Sequence, residues 1–122
     1  VWRPEGGAAV YLYYVDMPGQ WGEGLALQEF TFTPGTWHQV TQHIKLNTND
    51  DDNGVLETWV DGTQYLSRTD IRFRLGDQGL IDSLYFSTFH GGKKQDWAPR
   101  VDSTAFFDGF VVSREPLIPS DL

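Results

Sequence analysis

Asn53-Gly54-Val55-Leu56-Glu57-Thr58-Trp59-Val60-Asp61-Gly62 is a short run held between two turn dipeptides, and it sets the fold class. Asn-Gly and Asp-Gly both favour the positive φ angles of tight hairpin turns. Residues 55–60 are therefore expected as a strand. Asn53-Gly54 would reverse the chain into it, and Asp61-Gly62 would lead out of it into Gln64-Tyr65-Leu66. The preceding segment, residues 37–46, carries Val40, Ile44 and Leu46 in one phase and reads as the partner strand, entered through Pro34-Gly35.

Outward from this centre the same punctuation repeats. Residues 25–32 read as a long strand, after a loop at Met17-Pro18-Gly19-Gln20. Val1-Trp2-Arg3 leads through Pro4-Glu5-Gly6-Gly7 into residues 8–15 as a hairpin. On the other side, residues 71–75 alternate apolar and cationic, residues 80–89 read as a long strand, 91–103 as a loop and 105–112 as a closing strand. No segment has helical periodicity. The expected architecture is all-β, an antiparallel β-sandwich in a single domain over residues 1–122.

The chemistry-bearing stretch is Ala8-Ala9-Val10-Tyr11-Leu12-Tyr13-Tyr14-Val15. A strand has a period of two, so Tyr11 and Tyr13 share one face while Val10 and Leu12 take the other. Tyrosine also favours strands for packing reasons alone. A pair of phenols on an open face can in addition pass protons.

The chain has 122 residues, enough for one real core, and aromatics make up 15% of it. It has no cysteine, which rules out disulfides and thiolate chemistry. No stretch approaches a membrane span, and no membrane partner is expected. Because the chain opens on Val1 without an initiator Met, the expectation is an internal fragment or processed piece. The net charge of −8, from 17 acidic against nine basic residues, argues against nucleic acid as a partner. It also opposes an anionic polysaccharide at long range, unless positive groups gather locally. Arg72 with Arg74, and Lys93 with Lys94, are the tight cationic clusters.

Other constellations are weaker. Asn49, Asp51, Asn53 and Gly54 match the opening of a calcium loop, but Val60 stands where the closing acid belongs, so a hairpin tip and no metal are expected. His38, His43 and His90 are not at metal-ligand spacing. His90 stands out because it lies beside Gly91-Gly92 at a strand end, followed by Lys93 and Lys94. Neither a nucleophile elbow nor a glycosidase-type carboxylate pair is evident, and no cofactor is implied.

Several motifs together resemble polysaccharide lyase family 14, which contains alginate lyases, and the related family 20, which contains glucuronan lyases. They are Trp2-Arg3, Val10-Tyr11-Leu12-Tyr13, Pro34-Gly35-Thr36-Trp37, Lys45-Leu46-Asn47-Thr48, the run from Asn53 to Gly62, Phe86-Ser87-Thr88-Phe89-His90-Gly91-Gly92 with Trp97-Ala98-Pro99, and Phe106-Phe107-Asp108. The resemblance implies a jelly-roll (concanavalin-like) sandwich whose concave face holds a polyuronate, an acidic polysaccharide substrate, and it implies a secreted, extracellular protein. It makes Tyr11 and Tyr13 the catalytic pair of a β-elimination. Arg3, His90 and Lys93 are further candidates for substrate binding.

A cleft lysine and a Ser-x-Arg of the family would precede Val1. The chain is thus expected to be the C-terminal portion of a longer domain, with self-association or a second chain carrying the N-terminal half. The rival expectation is a non-catalytic carbohydrate-binding sandwich; a lectin-type adhesion module stands third.

Overall fold

The computed structural model describes residues 1–92 and 94–117. It is all-β, with two small antiparallel sheets. Strand β1 (Gly7–Leu12) pairs with β2 (Glu23–Thr31), and β3 (Val40–Lys45), β4 (Gly54–Val60) and β5 (Thr63–Ile71) form a three-stranded meander. The chain divides into two compact units, one of residues 1–80 with 114–122 and the other of residues 81–113.

In the first unit the two sheets pack against each other. Ala8 of β1, Leu27 and Phe30 of β2 and Val60 of β4 form the shared core, flanked by Val10, Phe32, Tyr65 and Leu66. Leu27 and Phe30 both reach this core because β2 bulges between them. The register of β1 on β2 shifts between Gly7 and Ala9, and Glu29 adopts φ 61° at the bulge. Val1-Trp2-Arg3 is expected as a strand but forms only a short edge pairing with β1. Trp2 bridges Ala8, Val1 and Ala9 exchange both backbone hydrogen bonds, and a 3-10 turn at Pro4–Gly6 makes the reversal.

Asp61 and Gly62 take φ 50° and 79° and join β4 to β5 in the expected tight turn. Asn53-Gly54 does not make the other one. Residues 46–53 form a longer loop, in which Asn49 adopts φ 51° and the Asn53 side chain closes onto Thr48. Gly54 already lies in β4, where a side chain would collide with the Ile71 carbonyl and the Phe73 ring. Its glycine meets a packing need instead of a turn need.

Val40 and Ile44 pair with Val60 and Leu56, so they share a face as their spacing implies. Burial does not follow the pattern to the edge. Leu56 and Val60 are 1% exposed, whereas Val40 and Ile44 are 53% and 44% exposed.

Of residues 71–75 only Ile71 is in a strand. The alternating arginines after it serve as clamps. Arg72 makes a two-pronged ion pair with Asp16. Arg74 caps the carbonyls of Asn47, Asp77 and Gly79. Asn47, fully buried, returns the contact through its side chain to the Arg74 backbone N–H and carbonyl.

The second unit corrects the sequence reading most. Residues 80–89 and 105–112 form no strand. Alternation gives a segment the preference, but a strand exists only when a neighbour accepts its hydrogen bonds. Phe86 packs edge to face on Phe107 and Phe110, with ring centroids 4.9 Å apart in each case. A 3-10 turn spans Gln95–Trp97. No helix of the described residues is long and apolar enough to cross a membrane.

Candidate functional site

Strand alternation places Val10 against the core and turns Tyr11 outward; Tyr13, one residue beyond β1, follows the same phase. The two phenol rings meet edge to face, with centroids 5.5 Å apart and planes at 88°, and they are 45% and 55% exposed. Tyr13 lies outside the ladder, yet the residues after it are tethered. Tyr14 donates its hydroxyl to Glu23 Oε2 at 2.7 Å, Val15 N–H bonds the Arg72 carbonyl at 2.9 Å, and Asp16 holds the Arg72 guanidinium. The tether fixes the direction in which Tyr13 leaves the sheet.

Arg3 joins the pair. Its backbone N–H bonds the Gly7 carbonyl from the far edge of β1, and its guanidinium comes to rest on Gly24 of β2, the partner of Tyr11 in the ladder. The side chain must therefore pass over β1 on the tyrosine face. Gly24 leaves it room, since a Cβ there would stand 2.7 Å from an Arg3 terminal nitrogen. Gly22 does the same for the rings. The sequence signal for both was a glycine at alternate positions, Gly22 just before β2 and Gly24 within it, opposite the Tyr-x-Tyr run; it becomes readable only once that pairing is known.

The electrostatics separate Tyr11 from an ordinary exposed phenol. The Tyr11 pKa is raised above its usual value, chiefly by the hydrogen bond with Tyr13, then by partial desolvation and the neighbouring phenol's charge. The Gly22 backbone N–H and the Arg3 guanidinium pull the other way. Tyr14, on the opposite side, is also raised, through its hydrogen bond to Glu23.

His90 belongs to the second unit. It lines an open cleft of about 360 Å³ with Gly92, Lys94, Trp97 and Pro99. Gly92, at φ 103°, lies directly against the Trp97 ring, where a side chain would collide. Lys93 lies outside the described residues.

The other histidines have structural partners. His38 Nε2 accepts the Thr33 N–H at 3.0 Å, which places the ring proton on Nδ1, 2.6 Å from Asp61 Oδ2. The ring also packs on Phe30 and Phe32. His43 pairs with Glu57 at 2.9 Å on the polar face of the meander. The Arg72 and Arg74 cluster is spent on internal clamps, so the local cation at the tyrosines is Arg3. In the acidic loop, Asp50 accepts the Gly76 N–H at 2.6 Å, and no group of three or more potential metal ligands occurs among the described residues.

Two phenols and a guanidinium thus share one open sheet face. The family model for polysaccharide lyase 14 matches residues 1–110, and the chain belongs to that family. Family membership carries with it the activity of a polysaccharide lyase and a polysaccharide substrate. Comparison with curated proteins and with solved structures gave no match.

Proposed function

We propose that the chain acts on a uronic-acid polymer, alginate or glucuronan, by β-elimination at the face bearing Tyr11, Tyr13 and Arg3, within a jelly-roll sandwich of a secreted enzyme. The observation that carries this reading is the convergence of two phenols in edge-to-face contact and one guanidinium on a single open face.

The reaction needs a base for the C5 proton, neutralisation of the neighbouring carboxylate, and an acid for the C4 oxygen. Arg3 supplies the positive charge for the carboxylate. Tyr11, whose neighbour holds its proton on, is suited to donate to the leaving oxygen. Tyr13 serves as the base that takes the C5 proton. The C5–H electron pair becomes the C4–C5 double bond, the C4–O bond breaks, and the departing oxygen leaves with the Tyr11 proton. His90 and Lys93 are assigned to further contacts with the polysaccharide.

The test is to mix the protein with alginate and with glucuronan and follow the ultraviolet absorbance of the conjugated double bond, which hydrolysis does not create. Tyr11→Phe and Tyr13→Phe should each lower turnover by roughly 10²–10⁴-fold, the usual worth of a general acid or base. Their melting temperatures should barely move, because each loses only an exposed hydroxyl. Near-normal rates in both would leave a face that binds saccharide without catalysis.

A further inference from the structure

Gly22 sits beneath the meeting point of the two phenols. A Cβ built on it would lie 2.8 Å from Tyr13 Cε2, 2.9 Å from Tyr11 Cε1 and 3.0 Å from the Leu12 carbonyl oxygen. The two ring distances are shorter than a real Cβ tolerates, and the third is a tight contact. The backbone itself does not call for glycine here. Gly22 is not among the residues with positive φ, so an L side chain is conformationally allowed. Gly19, on the same loop, is likewise free of positive φ, but nothing lies within 4 Å of a Cβ there. The two glycines thus differ only in what a methyl group would meet.

We propose that Gly22 is the positioning residue of the tyrosine pair: its bare α-carbon lets the two rings meet edge to face. The proposal deepens the lyase reading above and rests on it for its catalytic consequence, though its geometric content is independent. A methyl group at Gly22 wedges between the rings and drives the two phenols apart. Tyr11 then loses the main influence that keeps its proton on, and the distance between the acid and base atoms changes. Displacements of this size cost on the order of 10²-fold in rate when they separate reacting groups.

Gly22→Ala, with Gly19→Ala as its control, tests this in the full chain. Ring-carbon-labelled tyrosine is followed by NMR through an alkaline titration, and Tyr11→Phe identifies the Tyr11 signal. The expected result is that Tyr11 titrates closer to an ordinary tyrosine in Gly22→Ala and unchanged in Gly19→Ala. On polyuronate, kcat should fall roughly 10²-fold with KM much less affected. A Tyr11 titration identical to wild type in Gly22→Ala overturns the proposal.

Should Gly22→Ala fail to fold, the same substitution is made in a Tyr11→Ala/Tyr13→Ala background, where neither ring stands in the way of the methyl group. Folding should then be restored, and a protein that still fails to fold overturns the proposal. Absence of lyase activity in the wild-type protein would count against the functional reading alone, because the titration and folding results decide the role of Gly22 without it.

Discussion

Asn47 shows how much one side chain can hold. It is fully buried, its amide NH₂ donates to the Asn49 and Arg74 carbonyls at 2.8 and 3.0 Å, and its Oδ1 accepts the Arg74 N–H at 3.1 Å. The Arg74 guanidinium bonds the Asn47 carbonyl in return. Every polar atom of this side chain is spent on the β3–β4 loop and the segment leaving β5, so Asn47→Ala strands several buried groups together. A loss of about 3 kcal/mol is expected, since each buried unsatisfied group costs about 1–3 kcal/mol, and urea unfolding monitored by tryptophan fluorescence would measure it. A loss within the noise would mean that water replaces the side chain. The Lys-Leu-Asn-Thr segment was visible in the sequence as a motif, but its structural duty was not, because the partner lies 27 residues away.

At the scale of the element, β4 is central in the meander and β3 lies beside it with its apolar face half open. Leu56 and Ile44 are paired across the ladder, yet one is buried and the other is 44% exposed. Leu56→Ala should therefore cost about 2–5 kcal/mol, the range for an emptied core site. Ile44→Ala should cost about 1 kcal/mol or less, because it leaves water where water already stood. Equal costs would show that the β3 face is covered in solution. Spacing put Ile44 in phase with Val40, and the ladder shows them so paired. What it could not give is the extent of the packed sheet above them, since that depends on where β1 and β2 come to lie.

For the molecule as a whole, acid is the informative stress. The Glu57 carboxyl lies below its usual range mainly because His43 donates to it, with Gln64 and Ser67 adding further donors. Asp61 is pushed up by partial burial, but the hydrogen bonds from His38 and the Gln39 N–H outweigh this and leave it lowered. Arg68 holds Asp70 down in the same way. A carboxyl whose pKa is lower in the fold binds fewer protons there than in the unfolded chain. Its stabilisation is therefore complete above the unfolded values, 4.5 for Glu57 and 3.8 for the two aspartates, and is lost as pH falls through the lower folded values. The melting temperature should decline through this window, and Glu57→Gln should decline less steeply than wild type. Parallel curves for the two proteins would remove Glu57 from this account. The −8 net charge works in the same setting, as it would leave any polyanionic ligand dependent on local cations such as Arg3.

The sequence by itself determined the β class, the tight turn at Asp61-Gly62 and the shared face of Tyr11 and Tyr13. All three follow from local backbone geometry: a period of two, and positive φ where Asp-Gly permits it. It misjudged Asn53-Gly54, because a glycine chosen for a close approach by Ile71 and Phe73 looks the same as one chosen for a turn. The strand-like patterns of residues 80–89 and 105–112 were equally misleading, since no local rule supplies the neighbour that a ladder requires. Only the tertiary structure brought Arg3 across β1 to the phenols, cleared Gly22 and Gly24 beneath them, and committed Arg72 and Arg74 to Asp16 and Asn47 instead of a ligand. Those contacts join residues distant in the chain, and only the completed pairing and packing bring such partners together.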